Sequence, residues 1–256
     1  MFAIYKKEMR SYFINPIGYV FAGIFLFISA FLFGYTTFLS KSYDTSTYFM
    51  FMIFAFVRLI PLLTMRLFAE ERKLRTEQML LTSPVSITGM VLGKYFAALT
   101  MFVSGAVISC INFIPLYTIA NAERSVTSSS LSHIGPVTGE IVGCFIAIVL
   151  LGAALIAVGT LISALTENQL SAAVITIGVI AAMVLLNIFN QLTDANGQPL
   201  ISNYAIRFVI DWVSVLSRFM VFSQGLLDWA ALLYYVSLAF VFLFLTVRVY
   251  EKRRWG

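Results

Sequence analysis

Glu140-Ile141-Val142-Gly143-Cys144-Phe145-Ile146-Ala147-Ile148-Val149-Leu150-Leu151-Gly152-Ala153-Ala154-Leu155-Ile156-Ala157-Val158-Gly159-Thr160-Leu161-Ile162-Ser163 carries no charge after its first residue. A helix of about 20 mainly apolar residues matches the hydrocarbon thickness of a bilayer. Five similar runs lie outward from it: Ile17 to Leu39, Tyr48 to Phe68, Met90 to Ala120, Ser171 to Leu192 and Leu227 to Val249. A chain of 256 residues with 60% hydrophobic and 11% charged residues cannot hide that much apolar surface in one water-soluble core. The sequence therefore predicts an all-α polytopic membrane protein, with six transmembrane helices forming a single domain over 1–256. The third run is long for one straight span, and Pro115 near its end is the expected place for a break.

Orientation follows from the basic residues. An even number of spans puts both termini on one side, and that side collects Lys6, Lys7, Arg10, Arg66, Arg72, Lys73, Arg75, Lys94, Arg248, Lys252, Arg253 and Arg254. The other side has Lys41, Arg124, Arg207 and Arg218. This bias predicts both termini in the cytoplasm, as in a multi-pass protein of a bacterial cytoplasmic membrane. The net charge of +5 is then a topology signal, and no soluble basic face points to nucleic acid.

Residues 1–16 form a basic, amphipathic stretch with no small-residue cleavage site after it, so it is not expected to be a cleaved signal. Phe2, Tyr5, Met9, Tyr12 and Phe13 recur at helical spacing, while Lys6, Lys7 and Arg10 face elsewhere. Two readings stay open: an interfacial helix, or a plain basic flank to the first span.

Several chemistries are excluded or weakened. Cys110 and Cys144 fall inside apolar runs, where cysteine is a small core residue. With one histidine, His133, in a Ser/Thr-rich connection, no histidine-based metal cage is expected. Nor do the spans offer a Lys or Asp dyad to activate a hydroxyl, which leaves an intramembrane enzyme a weak reading. Gly89-Met90-Val91-Leu92-Gly93-Lys94-Tyr95 has its glycines one residue too close for a phosphate-binding loop, and Tyr95 stands where Ser or Thr is required. Gly93 is expected to allow close helix packing and Lys94 to snorkel to the interface. If the protein uses ATP, another chain must bind it.

Between the second and third runs lies Glu70-Glu71-Arg72-Lys73-Leu74-Arg75-Thr76-Glu77-Gln78-Met79-Leu80-Leu81-Thr82-Ser83-Pro84, a segment dense in charge. Glu71 four residues before Arg75 predicts a helical ion pair; Leu74, Met79 and Leu81 give a partial apolar face, and Pro84 ends the helix. Over 69–86 this reads either as a helix resting on the bilayer or as one that drops into a groove on a soluble partner.

The runs Met65-Arg66-Leu67-Phe68-Ala69-Glu70-Glu71-Arg72, Thr76 to Ser86 and Val91-Leu92-Gly93-Lys94 resemble the signature of permease subunits of type V ABC exporters, the so-called ABC-2 membrane proteins. Phe222-Ser223-Gln224-Gly225-Leu226-Leu227-Asp228, Phe244 to Arg248 and Arg253-Arg254-Trp255 resemble the branch with the gliding-motility and copper-site-maturation permeases. The resemblance implies a homo- or heterodimeric permease, with a second permease chain, two cytoplasmic ABC ATPase subunits, membrane lipid and an auxiliary membrane protein as partners. ATP and magnesium would be held by the ATPase, leaving this chain without a cofactor or catalytic residues. It makes 69–86 the coupling helix, with Glu70, Glu71, Arg72, Arg75, Glu77, Gln78, Leu80, Leu81 and Pro84 as ATPase-coupling positions. Glu71 and Glu77 stand at the family's acidic positions. Where the family often has glycine before the Thr-Glu pair this chain has Arg75, which is expected to tighten the helix.

Family members place short outer re-entrant or interfacial helices in the segment corresponding to 193–226. Here that segment is apolar and aromatic but interrupted by Arg207, Asp211, Arg218 and Gln224. Arg207, Asp211, Trp212 and Arg218 form either an outer gate or an interfacial anchor belt. Arg58, inside the second run, is expected either to face the translocation path, meeting an anionic headgroup or a carboxylate of the other subunit, or to snorkel or be paired structurally. Asn187 and Asn190, near the outer end of the fifth span, join the path as hydrogen-bonding candidates. Small pairs four apart, Gly143/Ala147, Ala153/Ala157 and Gly178/Ala182, predict close helix approach. The implied function is export of an amphipathic substrate driven by ATP hydrolysis in separate subunits. A non-transporting mechanical or envelope-assembly complex is the alternative on the same scaffold.

Overall fold

The structure is a computed structural model describing all residues except 41–42, 79–84, 127–134, 192–206, 209, 211, 213, 226–227 and 256, and omitting the side chains of 124–126, 187–191 and 255. The described residues are helical with no strand. In chain order the helices are α1 (Phe2–Ile14), α2 (Pro16–Phe33), α3 (Ser46–Thr64), α4 (Ala69–Lys73), α5 (Ile87–Ser109), α6 (Phe113–Val126), α7 (Thr138–Leu165), α8 (Gln169–Gln191), α9 (Val215–Ser223) and α10 (Trp229–Trp255). Six helical stretches are long and apolar enough to cross a membrane, with described limits Pro16–Phe38, Ser46–Lys73, Ile87–Glu123, Thr138–Leu165, Gln169–Leu186 and Trp229–Arg254. They coincide with the six runs read from the sequence.

Helix α7 is the axis of the bundle, packing against α3, α5, α8, α9 and α10. Glycine on α7 sets those distances. A methyl group on Gly152 would collide with the ring of Phe102 on α5, and one on Gly159 with Thr64 on α3. With no solvent-driven hydrophobic force between helices in lipid, such close approach gives α7 its van der Waals contact. Of the small pairs, Gly143, Ala147 and Ala157 are buried on α7. Gly178 and Ala182 are not: both are exposed on α8, and a methyl group on Gly178 would touch nothing.

The third span breaks before its proline. Helix α5 passes into a 3₁₀ turn at Cys110–Asn112, and α6 restarts at Phe113 with Pro115 in its first turn. Pro115 has no N–H for the carbonyl four residues earlier, so the disruption falls N-terminal to it. A polar chain spans the break: Asn112 Nδ2 donates to Ser29 Oγ at 2.9 Å, and Ser29 Oγ lies 2.8 Å from the Tyr48 hydroxyl.

Helix α1 packs against the bundle along one side and is exposed along the other. One side docks on α5, where a methyl group on Gly93 would come within 3.1 Å of the Met1 carbonyl and 3.3 Å of Ile4. Buried Tyr12 donates to the Leu63 carbonyl at 3.3 Å. Phe2 and Phe13 remain exposed on the other side. Asn15 and Pro16 then turn the chain into α2, with proline at the first helical position, where its missing donor is harmless.

Candidate functional site

The residues 66–78 emerge from α3, and their geometry starts with a cap. Ser163 Oγ, buried near the end of α7, accepts from the backbone N–H of Phe68 at 3.1 Å and of Ala69 at 3.2 Å. Two donors at the start of α4 are thereby satisfied from another helix. Arg66 grips Glu70 with two parallel bonds, Nε to Oε2 and Nη2 to Oε1, both 2.8 Å. The fork geometry suits guanidinium and carboxylate and fixes the first turn.

Among the described residues the helix expected over 69–86 is interrupted at 74–76. Helix α4 closes at Lys73 because Arg75 adopts a left-handed conformation, φ +55°. Thr76 N–H reaches the Glu71 carbonyl at 2.9 Å and Arg75 N–H the Arg72 carbonyl at 3.1 Å. This pair of bonds is the Schellman ending of a helix, with arginine where glycine is favoured. Arg75 thus ends the helix and does not tighten it. The expected Glu71–Arg75 ion pair is replaced: Glu71 Oε1 lies 2.9 Å from Lys94 Nζ and 3.5 Å from Lys7 Nζ.

Lys94 does not snorkel. It is 1% exposed, and its ammonium donates to the Leu67 carbonyl at 2.7 Å and pairs with Glu8 and Glu71 at 2.9 Å each. The ring of Phe68 lies 5.2 Å away, within cation–π range. One ammonium joins α1, α4 and α5, meeting the requirement that a buried charge be paired and hydrogen-bonded. Burial pushes the neighbouring Tyr12 phenol above its ordinary range, with the Glu8 carboxylate adding to the rise.

Two further ties complete the platform. Arg72 reaches the α7–α8 turn, pairing with Glu167 at 2.9 Å and donating to the Leu165 carbonyl at 3.2 Å. Glu77 receives Arg253 of α10 at 3.2 Å and lies 3.8 Å from Arg72. Tyr250 packs at a tilt on Phe68 with centroids 4.9 Å apart. The N-terminal helix, the charged segment, the start of α5, the α7–α8 turn and the end of α10 therefore share one face of the bundle. Lys73, Leu74, Arg75 and Gln78 stand exposed on it, Leu74 by 64%. Between α1 and α4 this face carries a polar cleft of about 360 Å³ lined by Lys7, Ser11, Arg66, Glu70 and Lys94 among others.

Arg58 is exposed on α3 and borders a lateral cleft of about 530 Å³ between α2, α3 and α8. Among the described residues no side chain or carbonyl bonds or pairs with it. Of the outer-gate candidates, Arg218 lies in α9 with its guanidinium 5.0 Å from the Tyr234 ring, and exposed Trp212 meets the same ring at 6.4 Å. Arg207 is half-buried. Helix α9, nine residues long, is buried through Val215, Leu216, Phe219 and Phe222, and Tyr235 of α10 donates to the Val215 carbonyl at 2.9 Å. Leu80, Leu81, Pro84 and Asp211 lie outside the described residues, as do the side chains of Asn187 and Asn190. Among the described residues no three His, Cys, Asp or Glu side chains are placed to share a metal ion.

Sequence reasoning passed over Glu8, Ser163, Glu167 and Arg253 as parts of this site. Their distances along the chain from Lys94, Phe68, Arg72 and Glu77 carry no periodic signal. A lysine seven residues inside an apolar helix was the one usable clue, because a charge there needs a partner.

Fold and charge distribution define a multi-pass α-helical membrane protein with a polar platform at one end. No protein-family profile matches the chain, and no curated protein matches it.

Proposed function

We propose that this chain is the transmembrane subunit of an ATP-binding-cassette exporter, dimeric in its membrane part and driven by two separate cytoplasmic ATPase subunits. The observation that carries the reading is the platform at 66–78. A soluble motor must deliver force to several spans at once, and this segment is joined by ion pairs to α1 through Lys7–Glu71, to α5, to the α7–α8 turn and to α10. The residues expected to couple divide into two groups. Glu70, Glu71, Arg72 and Glu77 transmit force into the bundle, and Leu74, Arg75 and Gln78 offer the surface that a partner grips. Motion of the platform is driven by differential ATPase contact with two states of the permease. Arg58 and its cleft border the path, and the cytoplasm is the compartment of the platform face.

The test is affinity purification of the tagged chain from its native membrane in mild detergent, followed by mass spectrometry. A P-loop ATPase in stoichiometric amount is the expected result, lost in Leu74→Asp and Arg75→Glu, whose side chains point outward. Recovery of a folded chain with no ATPase overturns the reading. Glu71→Lys and Glu77→Lys are unsuitable probes because both carboxylates hold the fold together.

A further inference from the structure

The cleft beside Arg58 presents a sharper chemical problem than its size suggests. Arg58 is 12 residues from Ser46 at one end of α3 and 6 from Thr64 at the other. At 1.5 Å per residue its backbone lies about 18 Å and about 9 Å from those ends, well inside the hydrocarbon. Other basic residues near the spans have carboxylate partners: Lys94 has two, Arg66 has Glu70 and Arg248 has Glu251. Arg58 has no such partner among the described residues, and a charge at this depth calls for a counter-charge or a polar partner.

A second copy does not supply it. The 12 acidic residues are Glu8, Asp44, Glu70, Glu71, Glu77, Glu123, Glu140, Glu167, Asp194, Asp211, Asp228 and Glu251. None falls in the interior of an apolar run of the sequence, and a two-fold axis along the membrane normal keeps each residue at its own depth in both copies. Burying Arg58 in a homodimer contact would leave it unpaired.

We infer that the cleft binds an anionic phospholipid-like amphiphile, with the headgroup phosphate at Arg58 and one acyl chain along the groove walled by Ile28, Leu32, Phe51, Phe54, Ala181 and Leu185. The groove is apolar apart from the guanidinium, so charge and chain are recognised by separate parts of it. Its polarity is also that of a lipid. The Arg58 backbone is about 9 Å from the platform end of α3, whereas Ile28, Leu32, Ala181 and Leu185 stand 12 to 16 residues along α2 and α8, about 18–24 Å from the same face. A lipid of the leaflet on the platform side enters headgroup-low, with its chain toward the midplane. As a substrate site this rests on the exporter reading and names its substrate class, whereas the binding itself needs only the chain.

The test measures lipid retention by the full-length chain, purified alone, by native mass spectrometry after exchange into equimolar phosphatidylglycerol and phosphatidylcholine of identical acyl chains. The expected result is one retained lipid with about fivefold preference for phosphatidylglycerol, the factor that one basic group contributes. Arg58→Lys keeps the preference, Arg58→Gln removes it, and Ala181→Phe lowers retention of both lipids. Millimolar glycerol phosphate should not displace the lipid. An unchanged preference in Arg58→Gln overturns the inference, as does its loss on neutralising only Lys6 and Arg10 of α1. Displacement by glycerol phosphate, or a lipid-free dimer, overturns it too. Should Ala181→Phe fail to fold, the Gln and Lys variants still decide. Because no ATPase is present, this outcome is independent of the capture experiment.

Discussion

Replacing Lys94 with methionine keeps the length and apolar stem of the side chain and deletes only its ammonium. Three hydrogen-bonded contacts vanish, to Glu8 at 2.9 Å, Glu71 at 2.9 Å and the Leu67 carbonyl at 2.7 Å, together with the approach to the Phe68 ring. Glu8 and Glu71 then face one another: each has an oxygen 2.9 Å from the same nitrogen, so the two oxygens lie at most twice that distance apart. Removing one partner of a buried ion pair costs about 3–5 kcal/mol, because the other charge is left uncompensated. The two carboxylate side chains retain 14% and 15% exposure, and Lys7 remains 3.5 Å from Glu71, which points to the lower end, about 3 kcal/mol. For a chain of this size that is a fall in Tm of about 6–12 °C. Cys144 provides the readout, being fully buried in α7. Its reaction with a fluorogenic thiol reagent during heating in detergent, in a Cys110→Ala background, reports opening of the bundle. Glu8→Gln added to Lys94→Met should recover about half of the loss. A Lys94→Met protein melting within a degree of its parent would refute the argument and return Lys94 to a snorkelling role. Full destabilisation with no recovery would place the effect in packing and not in charge.

The same melting assay tests three further expectations. Arg75→Gly should stabilise by about 0.5–1 kcal/mol, since glycine adopts the left-handed conformation without the 1–2 kcal/mol penalty of an L side chain but loses more entropy on folding; no gain would mean that the Schellman ending does not form. Gly152→Ala should destabilise by about 1–3 kcal/mol through collision with Phe102, and Phe102→Leu should relieve part of that, giving a non-additive cycle. Tyr12→Phe should be less stable than the parent at neutral pH by about 1 kcal/mol, for the lost bond to Leu63. The Tyr12 phenol has a raised folded pKa, so its contribution is complete below the ordinary value near 10 and falls as pH rises beyond it. The gap between Tyr12→Phe and the parent should therefore narrow above pH 10; a constant gap would show that Tyr12 titrates freely.

The spans were legible because each is a local property. Twenty apolar residues must be helical in lipid, where every backbone donor and acceptor has to be satisfied within the segment. Charge bias likewise predicted the two ends and the 66–78 segment on one side, and the contacts Lys7–Glu71 and Arg253–Glu77 bring them together. The segment itself was read less well. An unbroken helix from 69 to 86 satisfied propensity and the Glu71–Arg75 spacing, but both assumed that the segment stands free. In the bundle, Ser163 caps it, Lys94 draws Glu71 inward, and the left-handed Arg75 turns the chain away. Nothing local distinguishes an acidic residue that faces solvent from one that meets a lysine arriving from another helix.

Sequence alone thus determined the class, the number of spans, the unusual depth of Arg58 and the lack of any intramembrane carboxylate to meet it. Tertiary structure decided which charges are spent inside the chain and which are left for something else. Lys94 and Arg58 look alike in sequence, each a basic residue within an apolar run. One is buried against Glu8 and Glu71, and the other opens onto a lateral cleft. The physical reason is that Coulomb energy depends on distances in space, and helix packing sets those distances across separations in sequence at which no pattern of residues survives.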